Sequence, residues 1–128
     1  MVITGQNVYH AINAIRTENH QRALNPDALL VKAAQQKADD MVKWNYFAHK
    51  APNGTTAWNI VRALKGDPLV LGENLARCYK TNEDLVEAWK RSSTHKDNIV
   101  YKDYTKTGIA IEQPPIFQEV NIAVSSKE

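Results

Sequence analysis

A single cysteine, Cys78, is all the thiol chemistry this 128-residue chain carries, so no internal disulfide can form and cysteine usage does not fix a redox compartment. The expected state of Cys78 is a free thiol buried in a strand. No run approaches the roughly 18 apolar residues of a membrane span, and residues 1 to 20 are polar and helical in pattern, unlike a signal peptide. If the protein is exported, its leader is expected to be absent from this chain, with Met1 an added start. Charge of one sign is lacking too. The net charge is +2, with Lys and Arg scattered rather than gathered into the basic stripe that a phosphate backbone requires, which argues against nucleic acid as a partner. Internal repeats and low-complexity tracts are absent. The balance of 43% hydrophobic and 23% charged residues suits one compact domain over 1–128, without a linker and long enough for a core.

The periodicities predict helices early and strands late. Val8, Ile12 and Ile15 recur at helical spacing, followed by a polar stretch through Gln21. Asn25-Pro26-Asp27 reads as a helix start, with Asn25 as cap and Pro26 at the first helical position, and Leu30, Ala34, Ala38 and Met41 mark one apolar face. After the turn Pro52-Asn53-Gly54, residues Trp58, Val61 and Leu64 suggest a short helix ended by Gly66 and Pro68. Thr81 to Asp84 resembles a capping box ahead of Leu85, Val86 and Trp89, giving a helix that stops at Ser92-Ser93. Strands are expected from about Leu69 to Cys78, Gly108 to Glu112 and Phe117 to Val124, with Gln113-Pro114-Pro115 as the hairpin between the last two. Helices first and antiparallel strands last describe a layered α+β domain.

Three polar clusters carry the candidate chemistry: Tyr46 to His49, Leu71 to Ala76, and Trp89 to Ile99. Each has apolar neighbours, which suggests one shared site at the rim of a core. His49 and His95 are candidate ligands for a divalent metal, most naturally zinc, because neutral imidazole donates a nitrogen lone pair. Two histidines and one carboxylate make an incomplete set, so no cofactor is expected to be required. Glu73 has two readings: it orients an imidazole or takes a proton from bound water, or it ties sheet to helix by accepting bonds from amides and a histidine. Ser92 and Ser93 beside His95 invite a serine-hydrolase reading with Glu73 as the orienting acid, but nothing like Gly-x-Ser-x-Gly is present, and helix termination or capping is the expected role. Asn74 and Asn98 are expected to bond the backbone of their own turns. His10 and His20 read as solvated. Trp44, Tyr46, Phe47 and Trp58 bracket His49, an arrangement found in cores more often than in ligand grooves.

The ordered set Asn13 to Arg16, Leu24 to Leu29, Ala34 to Met41, Phe47-Ala48-His49 with Gly54, Gly72 to Ala76, Trp89 to Ser92 with His95 and Asn98, and Tyr104 with Gly108 resembles the CAP superfamily. These are the cysteine-rich secretory, antigen 5 and pathogenesis-related 1 proteins, and the likeness is strongest to the compact bacterial branch. It covers nearly the whole chain. The resemblance implies an α-β-α sandwich, a small antiparallel sheet between helical layers, on an exported or cell-surface-anchored protein. It also implies a central cavity with two histidines and two acids. His49, Glu73 and His95 match three of these positions, and the fourth falls near Ser92, as in bacterial relatives that read Trp-x-x-Ser. Functions that belong to the family's disulfides and added domains do not carry over.

Three classes of function follow. The first is a non-enzymatic binding module, with His49, Glu73, Ser92 and His95 around a cavity and a lipid, sterol-like or peptide ligand, or a host or cell-surface protein, as partner. The second is a metal-assisted hydrolase or peptidase in which His49 and His95 hold the ion and Glu73 activates its water. In the third, a structural or interaction domain, the polar cluster only specifies packing. The absence of a complete catalytic set favours the first.

Overall fold

The computed structural model describes residues 3–77, 79–112 and 119–125, the last of these by backbone alone. Cys78 and the Gln113-Pro114-Pro115 turn lie outside the described residues.

Helix α1 (Gly5–Glu18) starts where the Thr4 hydroxyl accepts the Asn7 amide at 3.0 Å, and it buries Val8, Ile12 and Ile15 on one face. Each such side chain contributes roughly 1.5–3 kcal/mol on burial. The expected start of the next helix needs correction. Asp27, not Asn25, is the cap of α2 (Ala28–Trp44), its carboxylate accepting the Leu30 amide at 3.1 Å. Asn25–Pro26 instead form a two-residue strand, β1. The reason is donor placement: the amides of Asn25 and Asp27 reach the carbonyls of Thr105 and Thr107 at 2.9 Å each, and Pro26, which has no N–H, sits between them. Helix α2 stops at Asn45, whose φ of 51° is left-handed.

Helix α3 (Ala57–Ala63) is held at its start by Thr56 and Asn59, and strand β2 (Leu71–Arg77) follows. The Thr81 hydroxyl caps α4 (Asn82–Arg91) through the Asp84 amide at 3.1 Å. Beyond the expected break lies a further helix, α5 (Ser93–Ile99), for which Ser92 both ends α4 and starts the new turn. Its one buried residue is Ile99, so no apolar stripe announces it. Strands β3 (Lys106–Glu112) and β4 (Glu119–Ser125) complete the sheet.

The sheet order is β1-β3-β4-β2, with β4 antiparallel to both neighbours and β1 parallel to β3. One face carries α2 and α3; the other carries α1, α4 and α5. This is the expected α+β sandwich, with the parallel β1 as an addition to the antiparallel strands. The main core joins Val8, Ile12 and Ile15 to Leu85, Trp89, Ile99 and Tyr104. On the opposite face Ala34 and Ala38 of α2 meet Ala110, and a Cβ on Gly108 would lie 2.1 Å from main-chain atoms of Leu30 and Val31. Helix α2 therefore rests directly on the backbone of β3. Because β2 is an edge strand, its outer side is open to the segments that follow α2 and form α4 and α5.

Candidate binding cleft

The alternation of β2 sorts its residues between the two layers. Glu73 faces the segment after α2, where its carboxylate accepts a hydrogen bond from His49 Nδ1 at 2.8 Å. The Glu73 side chain is 8% exposed and that of His49 66%. The carboxylate raises the His49 pKa above its ordinary value, with partial burial opposing it. His49 is itself held from below. Lys37, 2% exposed on the buried face of α2, donates to the His49 carbonyl at 2.9 Å and to Tyr46 Oη at 3.3 Å, and Tyr46 donates to Asp40 at 2.6 Å. Burial lowers the Lys37 pKa, while Glu73 and Asp40 work to raise it.

On the other face, Asn74 and His95 meet. The Ser92 hydroxyl, which would ordinarily cap the first turn of α5, lies 2.7 Å from His95 Nδ1 instead, and the His95 ring stacks on Trp89 with centroids 6.1 Å apart. Burial lowers the His95 pKa, and the charge of nearby His49 adds to the effect. Asn74 and Asn98 do not serve their own turns. Tyr104 donates to Asn98 at 2.7 Å, Asn98 to Asn74 at 3.1 Å, and Asn74 to the His95 carbonyl at 3.3 Å, a relay that joins the loop before β3 to β2 and α5. Gly72 makes room for it, since a Cβ there would sit 2.0 Å from Tyr104 Oη and 2.2 Å from Asn98 Oδ1.

His49, Ser92 and His95 line one cleft of about 420 Å³, walled by Phe47, Leu75, Tyr79, Ala88 and Trp89. Glu73 stands behind His49 and lines an adjoining cleft of about 290 Å³ with Trp58 and Leu71. Of the aromatics around His49, Phe47 faces the first cleft beneath the Arg77 guanidinium, while Trp44 is 61% exposed on a separate face. Lys37 is absent from the candidate residues of the sequence, and Asn98 and Tyr104, though both belong to the family-like set, carry no sign there of the bond that joins them. A lysine interrupting the apolar stripe between Ala34 and Met41 was the available signal. His10 and His20 are exposed, as expected.

The chemistry of this set is specific. Glu73 bonds His49 and not His95, so no Ser92–His95–Glu73 triad forms. Both imidazoles are fixed through Nδ1, which leaves each Nε2 without a protein partner among the described residues. Two nitrogens fall short of the three or four protein ligands of a tight zinc centre, and among the described residues no group of three or more His, Cys, Asp or Glu is placed to hold a metal. This donor set does not fit a tight metal centre.

Comparison with known proteins agrees with this fold. The model of the cysteine-rich secretory protein (CAP) family matches residues 9–119. The uncharacterized Bacillus subtilis (strain 168) protein YkwD is 32% identical over 102 residues, 80% of this chain and 40% of its own length. Among solved structures, an extracellular SCP-domain protein from Bacillus anthracis superposes with a TM-score of 0.85 at 24% identity, covering 95% of this chain and 40% of that one. An outer surface protein from Borrelia burgdorferi gives a TM-score of 0.89 at 20% identity, covering 99% of this chain and 97% of that one. This chain thus spans well under half of YkwD and of the B. anthracis protein, and nearly all of the B. burgdorferi protein. With the matched region running from α1 to β4, the chain belongs to the CAP, or cysteine-rich secretory protein, family.

Proposed function

We propose that this domain is a non-enzymatic binding module of an exported or surface-associated protein, with the cleft around His49, Ser92 and His95 as its ligand site. The observation that carries the reading is the wall chemistry. A cleft of about 420 Å³ is bounded by Phe47, Leu75, Tyr79 and Trp89, with His49, His95, Ser92 and Arg77 as its polar groups. A few oriented polar groups in an apolar concavity suit a ligand with an apolar body and a polar end. Lipid, sterol-like and peptide ligands all have that form. A divalent cation bound weakly by His49 and His95 is an accessory to this site, lost as pH falls through the raised pKa of His49, the first of the two imidazoles to protonate. The extracellular and outer-surface relatives support the location, and no helix among the described residues is long and apolar enough to cross a membrane.

Metal-assisted hydrolysis has less support, because Glu73 is committed to His49 and lies outside the main cleft. The purely structural reading leaves the cleft without a role.

The test is a binding panel on the intact domain: a fluorescent fatty acid, a fluorescent sterol analogue and a random heptapeptide library, each against wild type and Ala88→Phe. Phenylalanine at this partly buried helical position fills the cleft. At least one ligand class should bind wild type and weaken about tenfold or more in Ala88→Phe, the loss expected on blocking an apolar pocket. No binding by any class, or binding indifferent to Ala88→Phe, contradicts the reading.

A further inference from the structure

Strand β2 has a bonded side and an open side, and the bond pattern shows which groups face out. Trp89 Nε1 donates to the Leu75 carbonyl at 3.3 Å from the side away from β4. Main-chain groups alternate along a strand, so Leu71 and Glu73 share the orientation of Leu75, and Gly72, Asn74 and Ala76 turn to β4. The far side of the sheet agrees. Carbonyls of Thr105 and Thr107 turn to β1, which assigns Lys106 and Gly108 to β4 and leaves alternate residues of β4 for β2. Among the described residues nothing bonds the outward main chain of Leu71 or Glu73.

Space lies beside this edge. The 290 Å³ cleft runs along Leu71, Gly72 and Glu73, the 420 Å³ cleft along Leu75, Ala76 and Arg77, and the two meet at His49. An unpaired edge beside a groove matches a peptide main chain, which repeats donors and acceptors at strand spacing; a lipid or sterol has no such repeat.

Resting on the binding-module reading, we propose that the ligand is an extended peptide that adds as a strand to β2 at Leu71 and Glu73 and inserts an apolar side chain between Phe47, Leu75 and Trp89. Trp89 sets the limit of pairing by occupying the Leu75 carbonyl, so the peptide leaves the edge there and enters the larger cleft.

The experiment selects a phage-displayed random heptapeptide library on the intact domain, then synthesises the strongest binder with each amide N-methylated in turn. Methylation of alternate amides should weaken binding about tenfold, the loss of one hydrogen bond and its donor, while methylation of the intervening amides leaves it nearly unchanged. Amide exchange at Leu71 and Glu73 should slow about tenfold or more on peptide addition, with Gly72 and Asn74 already protected in the free domain. Peptides that bind with every amide methylated and leave Leu71 and Glu73 unprotected overturn strand addition and leave the binding module standing. Enrichment of no peptide, while a fatty acid or sterol binds and is lost in Ala88→Phe, does the same. Protection of this edge by concentration-dependent dimerisation without peptide names a second copy as occupant and also overturns the proposal.

Discussion

Two buried cations, Arg16 and Lys37, hold main chain in place rather than pairing with a carboxylate, Lys37 through the His49 carbonyl. Arg16 is fully buried and donates to the carbonyls of Arg22, Ile99, Tyr101 and Tyr104 at 2.7 to 3.3 Å, tying the end of α1 to the exit of α5. Burial lowers its pKa, yet a guanidinium stays charged at any working pH. Arg16→Met keeps the packing volume and strands those carbonyls, so denaturant unfolding should show a loss of about 3 kcal/mol. The His49–Glu73 bond acts through protonation. A raised folded pKa means that its stabilisation is full below the ordinary histidine value of 6.5 and is lost as pH rises through the raised value. His95 runs the other way: its lowered pKa costs stability as pH falls from 6.5 through the lowered value. Removing the first contribution with Glu73→Gln leaves only the second. The thermal midpoint of Glu73→Gln should therefore fall more steeply than that of wild type between about pH 7.5 and pH 5.5, and the His49 pKa read by NMR should drop.

Contact between elements is closest where α2 crosses β3. The missing Cβ at Gly108 brings helix backbone against strand backbone, and Ala34, Ala38 and Ala110 continue that close seam. Gly108→Ala must push α2 outward, at an expected cost of about 3 kcal/mol in chemical denaturation. Legibility followed the same physics. Helices α1 and α2 and the face of α4 were readable because Val8, Ile12, Ile15, Leu30, Ala34, Ala38, Met41, Leu85 and Trp89 repeat at helical spacing and are buried in that pattern. Helix α5 was not, since Ser92 hides a second start inside an apparent stop and only Ile99 packs inward. The Asn25–Pro26 strand was hidden by its likeness to a helix start, and only a long-range partner at Thr105 and Thr107 decides it. At the site, residue types were legible and pairings were not. His49, Glu73 and His95 stood out, but which imidazole Glu73 takes depends on the opposite facing of Glu73 and Asn74 across β2.

For the whole molecule, the site is a product of the sheet edge. Helix α2 fixes Lys37 and through it the His49 segment, α4 and α5 bring Trp89, Ser92 and His95 to the other side, and β2 supplies the floor. Ligands are expected to enter this cleft and not the other concavities, such as that beside the exposed Trp44. The most direct measurement is an NMR footprint of the strongest panel ligand on the isotope-labelled domain at neutral pH. Shifts concentrated on Phe47, His49, Leu75, Trp89 and His95, and absent from Trp44 and α1, are the predicted result. A footprint centred on Trp44 or on α1, with the cleft residues unmoved, would contradict the account.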